Sequence, residues 1–191
     1  MPAISDAVVD IWREDGTMVV ADKPRGMPVH PPDQVASNTL INALLGCNRW
    51  LADMETSLEP GVIYHLNPYD RGLVVAAKNE EAAQTLRESY RANQWTFSYR
   101  VRVSTARDTT DDARIDVVDR RIYEDGTTVL DINTPVGDTD VLRQTWLGVD
   151  DAASAYFCLY RLEVPIDTGR VTVALGERMR IPEIELYTVP P

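Results

Sequence analysis

The period of apolar positions changes several times along the chain, and each change marks an element. "AVVDIWRED" and "TMVVADKP" carry β-branched and aromatic residues at strand spacing, with Asp15-Gly16 between them as a turn signal. "PRGMPVHPPDQ" holds too much proline and glycine for a regular element and reads as an extended loop. "SNTLINALLG" predicts a short helix, with Ser37 or Asn38 as N-cap and Gly46 as its stop. Residues 47–60 read as a loop, with Trp50 and Leu51 turned against the body. "GVIYHL" and "GLVVAAK" predict two strands around a turn. "NEEAAQTLRESYRAN" predicts a helix, with acids in the first turn, bases in the last, and Ala83, Leu86 and Tyr90 on one face. "WTFSYRVRVS" then alternates as a half-buried strand does.

From Arg107 onward strands follow one another: "ARIDVVDRRI", "TTVLDI", "TDVLRQTWLGV", "SAYFCLYRLEVPI", "RVTVALG" and "PEIELYTV", with "DTGR" as a turn. The pattern predicts an α+β fold, one domain over residues 1–191, in which a mainly antiparallel sheet carries two or three helices.

Composition adds a constraint. The 191 residues are 44% hydrophobic and 26% charged, ordinary values for a globular chain. Nineteen Lys and Arg against thirty Asp and Glu give a net charge of −11. Phosphate backbones attract basic surfaces, so this balance argues against tight, non-specific nucleic-acid binding. No run reaches the length of a membrane span, and "MPAISDAVVD" lacks the basic-then-apolar order of a signal peptide. A cytoplasmic location is the expectation. Cys47 and Cys158 have no metal-type spacing and read as two buried thiols, and no metal is implied.

The motifs point to a family. "EDGTMVVADKPRGMPVHPPDQVASNTLINALLG", then "GLVVAAKN", then a helix and "FSYRVRV", resemble the pseudouridine synthases of the branch whose signature is HRLD. Lys23-Pro24, Gly26, His30, Thr39, Asn42 to Leu45, Gly72 to Val75 and Ala77-Lys78-Asn79 fall in order and spacing over residues 8 to 103. The resemblance implies the family's fold, isomerisation of uridine in tRNA or rRNA, and no cofactor.

At the signature itself the chain departs. Counting back from Gly72, Arg71 takes the family's Ser, Asp70 its Thr and Asn67 its catalytic Asp. His65 replaces the Arg and Tyr64 the His, so HRLD has become "YHLN". A one-residue deletion would put Pro68 at the Asp position instead, and neither register supplies a carboxylate. An amide is neither nucleophile nor base near neutral pH. Deamidation of Asn67 would need attack by the next backbone N–H, and Pro68 has none.

Other positions shift in the same direction. Phe97 takes the Lys of the family's "KxY", while Tyr99 keeps its Tyr. The "TGRxHQIR" segment is not recognisable, since no "HQIR" follows "DTGR", and Arg178 in "LGERMRI" is the better candidate for its Arg. The resemblance therefore implies Asn67, Tyr99 and Asp70 as catalytic positions, and Tyr64, His65, Arg71 and Arg178 as binding positions, in a synthase whose catalysis is impaired.

Each of these residues also has a plainer reading. Asp70 is a relocated nucleophile or a turn residue bonded to backbone. His65 is an acid–base or RNA-contacting group, or a half-buried polar residue. Tyr99 stacks on a base or packs across strands. Arg87, Arg91, Arg100 and Arg102 form a basic stripe or pair with nearby acids. The alternative to a synthase is a domain that keeps the fold only to bind RNA or a protein partner.

Overall fold

A sheet built around two long central strands organises the molecule. The computed structural model describes residues 9–30, 38–47, 61–103, 112–149, 151–166 and 169–175. Arg178, Trp50, Leu51, the "PEIELYTV" strand and Asp167-Thr168 of "DTGR" lie outside these residues. The elements are β1 (Asp10–Glu14), β2 (Met18–Lys23), α1 (Leu40–Cys47), β3 (Arg71–Ala77), α2 (Glu80–Arg91), β4 (Thr96–Val103), β5 (Asp116–Ile122), β6 (Thr128–Thr134), α3 (Thr139–Leu142), β7 (Ala155–Ile166) and β8 (Gly169–Ala174). In space the strands run β1-β2-β3-β7-β4-β6-β5, with β8 on the second half of β7. Every pairing is antiparallel except β3 with β7. This is the α+β architecture that the patterning predicts.

Local chemistry fixes several boundaries. Asp15 closes the β1–β2 turn by accepting from the N–H of Thr17 (2.9 Å) and of Met18 (3.0 Å). Asn79 caps α2 by accepting from Ala82 N–H at 2.8 Å, and Glu80 and Glu81 follow in the first turn. Helix α2 buries Ala82, Ala83 and Leu86. Against it stands a cluster of aromatic rings: Tyr64, Tyr90, Trp95 and Phe97 lie with centroids 4.8–6.1 Å apart, mostly edge to face.

Two expectations are corrected. "GVIYHL" forms no strand, and its backbone pairs with β3 at a single bridge, Val62 with Ala76. Its apolar residues Val62, Ile63, Tyr64 and Leu66 are all buried, so the run is apolar because it crosses the core. "TDVLRQTWLGV" is helical: α3 is followed by a π-type turn, Arg143–Leu147. Asp138 starts it by accepting from the N–H of Asp140 and Val141, which caps the segment before any strand can begin. The apolar residues at 142, 146 and 147 then fall on one helical face and are buried.

Alternation along the central strands divides the sheet into two faces. Phe97, Tyr99 and Val101 point into the core, while Arg100 and Arg102 point away from it. On that second face Arg71 and Arg100 flank Cys158, Arg71 pairs with Asp22 (3.0 Å) and Arg100 with Asp131 (2.7 Å). Arg87 and Arg91 belong to α2 on the core side, so the four arginines do not form one stripe. Cys158 is a buried free thiol, and burial pushes it up to about 12. Burial of the Cys47 side chain lies outside the described residues.

Strand β3 meets β7 at Arg71 and Gly72 alone, where Gly72 adopts φ +136°. A Cβ there would overlap the Leu159 backbone, whose N would lie 2.7 Å away. Gly72→Ala is therefore expected to destabilise the fold by about 3 kcal/mol or more in urea unfolding. Gly126→Ala, also at positive φ but with open space around it, should cost only about 1 kcal/mol.

Candidate functional site

The turn Asn67–Asp70 joins the buried run 62–66 to β3, and the sequence folds it locally. Asp70 N–H donates to Asn67 O (2.9 Å), Pro68 occupies the second turn position, and Tyr69 N–H donates to Asn67 Oδ1 (3.0 Å). Three other parts of the chain hold this turn. From the end of β2 and the loop after it, Lys23 Nζ donates to Asp70 O (2.6 Å) and Gly26 N–H to Pro68 O (2.7 Å). From α3, Thr139 Oγ1 accepts from Asn67 N–H (3.1 Å) and Asp140 accepts from Asn67 Nδ2 (2.8 Å). From β7, Phe157 N–H donates to Asp70 Oδ1 (2.9 Å).

Asn67 is half-buried with both ends of its amide engaged. Asp70 is 0% exposed and paired with Arg143, itself 1% exposed. Arg143 also donates to Ala155 O (3.0 Å) and to Asp140 (3.2 Å), and stacks 4.9 Å above the Phe157 ring. Burial pushes the Asp70 carboxyl up, and Arg143, Thr139 and the Phe157 N–H oppose that shift. Patterning did not single out Arg143. The available signal was a lone cation inside the apolar run "VLRQTWLGV", which asks for a buried acid as partner.

Tyr99 is 0% exposed, and its hydroxyl donates to Gly137 O at 2.9 Å. Its ring lies edge-on to Phe157. Tyr64 is buried and donates to Leu73 O (2.7 Å). Arg71 stands on the other face of the sheet, beside Asp22. The sequence candidates therefore divide: Asn67 and Asp70 share one network, Tyr99 packs beside it, and Arg71 faces away.

Lys23 is fully buried and donates to three carbonyls, those of Pro24, Met27 and Asp70. Burial lowers its amine to about 8, against the pull of Asp70 and Asp22.

His65 opens onto a different feature. His30 and His65, Tyr64 and Tyr90, and Asp138 line a cleft of about 290 Å³. The two imidazole centroids are 5.8 Å apart. Tyr90 Oη accepts from Gly137 N–H (3.3 Å), and Asp138 Oδ1 is occupied by the α3 cap. Among the described residues no group of three or more His, Cys, Asp or Glu is placed to hold a metal.

Comparison with known proteins gives a consistent result. The family model described as RNA pseudouridylate synthase matches residues 17–164. "Uncharacterized RNA pseudouridine synthase YlyB" of Bacillus subtilis is 35% identical over 78 residues, 41% of this chain and 26% of that protein. "Ribosomal large subunit pseudouridine synthase D" of Zymomonas mobilis is 37% identical over 78 residues, 40% of this chain and 25% of that protein. The match thus spans about a quarter of the length of these curated relatives. Among solved structures, "Human RNA Pseudouridylate Synthase Domain Containing 1" superposes with a TM-score of 0.61 at 15% identity, covering 93% of this chain and 86% of that one.

Two measurements check the electrostatics of the turn. Arg143→Met strands a buried carboxylate and should cost about 3–5 kcal/mol in urea unfolding, most of it recovered in Asp70→Thr/Arg143→Met. For Lys23 the sign follows from proton counting. A folded value near 8, against an ordinary 10.5, means that the unfolded chain binds more protons between those values. Stability should therefore rise with pH through that window, by about 2 kcal/mol between pH 7 and 9.5 relative to Lys23→Met.

Proposed function

The chain belongs to the RNA pseudouridylate synthase family, and from that premise we propose that it keeps the scaffold and an RNA partner but no longer isomerises uridine. One observation carries this reading. The position equivalent to the family's carboxylate is Asn67, whose amide is spent on Asp140 and on the Tyr69 N–H. The other acid of the turn, Asp70, is sealed behind Arg143. A nucleophile must reach its substrate, and a carboxylate with no exposed surface cannot. Tyr99, equally sealed, acts in packing. We read His65 as the residue of the signature that still faces a ligand, and Arg71 as structural.

The chain acts as one cytoplasmic domain in this reading. Among the described residues no helix is long and apolar enough to cross a membrane. RNA binding is weakened by the charge of −11. The alternative, a domain kept for protein contacts, draws on edge strand β5. Val118 and Ile122 are each 62% exposed there, although a bulge at Val118 interrupts the edge.

The test is pseudouridine formation on unmodified tRNA and rRNA transcripts by wild type, Asn67→Asp and Asn67→Asp/Asp140→Asn. Wild type is expected to be silent, and turnover by it would overturn the reading. Asn67→Asp alone sets two carboxylates where a 2.8 Å hydrogen bond now stands. It should lose about 1–2 kcal/mol of stability at pH 7, and Asp140→Asn should relieve this. Activity restored in the double variant would show that only the nucleophile was lost.

A further inference from the structure

We propose that the cleft beside His65 is a recognition site for pseudouridine already present in RNA, so that the chain reads the product of the reaction. This rests on the family reading above and extends it to a ligand.

The cleft has the size and lining for one nucleoside. Its volume of about 290 Å³ is near the lower limit of small-molecule sites, and its walls are mostly ring systems. Tyr64 has already spent its hydroxyl on Leu73 O, so it offers only an apolar ring. Tyr90 uses its oxygen to accept from Gly137 N–H and keeps its proton to donate. His30 and His65 are the only histidines of the chain, and both face this cleft. For His65, a neutral imidazole carries one donor and one acceptor, which suits the alternating carbonyl and N–H edge of a uracil ring.

Asp138 supplies discrimination. Its Oδ1 accepts from the N–H of Asp140 (2.9 Å) and Val141 (3.2 Å), which fixes the carboxylate in place. Its Oδ2 has no hydrogen-bond partner among the described residues, and Asp138 is part of the lining of the cleft. Uridine and pseudouridine share the same ring and the same carbonyls. They differ in that uridine's N1 bears the sugar, whereas isomerisation moves the sugar to C5 and leaves N1 with a hydrogen. A fixed carboxylate oxygen is an acceptor for that extra N–H and has nothing to accept from N1 of uridine. Hydrogen bonds to a charged acceptor are the stronger class. The two nucleosides should therefore separate by about tenfold in affinity.

The experiment uses the full chain with three short single-stranded RNAs that carry uridine, pseudouridine or N1-methylpseudouridine at one position. Anisotropy gives the affinities, and the NMR signals of the two imidazoles report whether the cleft is the site. The expected result is about tenfold tighter binding of the pseudouridine strand, shifts in both imidazoles, and a return to uridine-like affinity on N1-methylation. Asp138→Asn should abolish the preference while the protein stays folded, because asparagine caps helices about as well as aspartate. With its oxygen held by the cap, the amide would turn a donor toward N1. Equal affinity for the three strands, unmoved imidazole signals, or a preference that survives Asp138→Asn would each overturn the proposal. None of these would bear on whether the chain isomerises uridine, which the transcript assay decides separately.

Discussion

The buried pair between Asp70 and Arg143 is the interaction on which the rest of the structure depends. A carboxylate with no exposed surface is tolerable only if its charge is answered, and the answer comes from a residue far along the chain. To deliver that guanidinium, the segment after Asp138 must coil instead of extending, which fixes α3 and the π-type turn. To meet the carboxylate, the turn must stand against β7, where Phe157 N–H completes the contact. One ion pair therefore sets the position of the turn, the course of residues 138–147 and the docking of β3 beside β7.

The same pair accounts for the burial of the acid in this turn. Aspartate at the rim of a site is a nucleophile because water and substrate reach it. Asp70 lies three positions along the turn from Asn67 and points into the interior, where it bonds to Arg143 and a strand N–H. At the rim stands an amide whose donor and acceptor serve α3 and the turn itself. The charged group holds the scaffold, and the neutral group ties the turn to α3.

Lys23 and Gly26 extend this arrangement to the other side. Both lie next to proline-rich sequence, and both donate to carbonyls of the turn. The turn is thereby held from the β2 loop, from α3 and from β7, a level of support usual for the reactive strand end of an enzyme. The cleft beside His65 adjoins this rigid frame through Tyr64 and Asp138 but not through Asn67, so a ligand there would be held by a fixed wall without touching Asn67.

The sequence by itself determined the strands whose side chains alternate, the capped helix α2 and the family. These follow from local rules: a period of two or of 3.6, an Asn79 cap, and motifs that fall in order and spacing. It did not determine "GVIYHL" or "TDVLRQTWLGV". An apolar run reads alike whether it crosses the core as a strand or as a buried irregular segment, and Asp138 outweighed the strand pattern by capping a helix. Nor could it assign roles to Asp70, Arg143, Tyr99 and Lys23. Those roles depend on which partners arrive from distant segments and on how much water remains, and only the tertiary structure decides that. The cleft is the clearest case: His30, His65, Tyr90 and Asp138 share no local pattern, and packing alone brings them together.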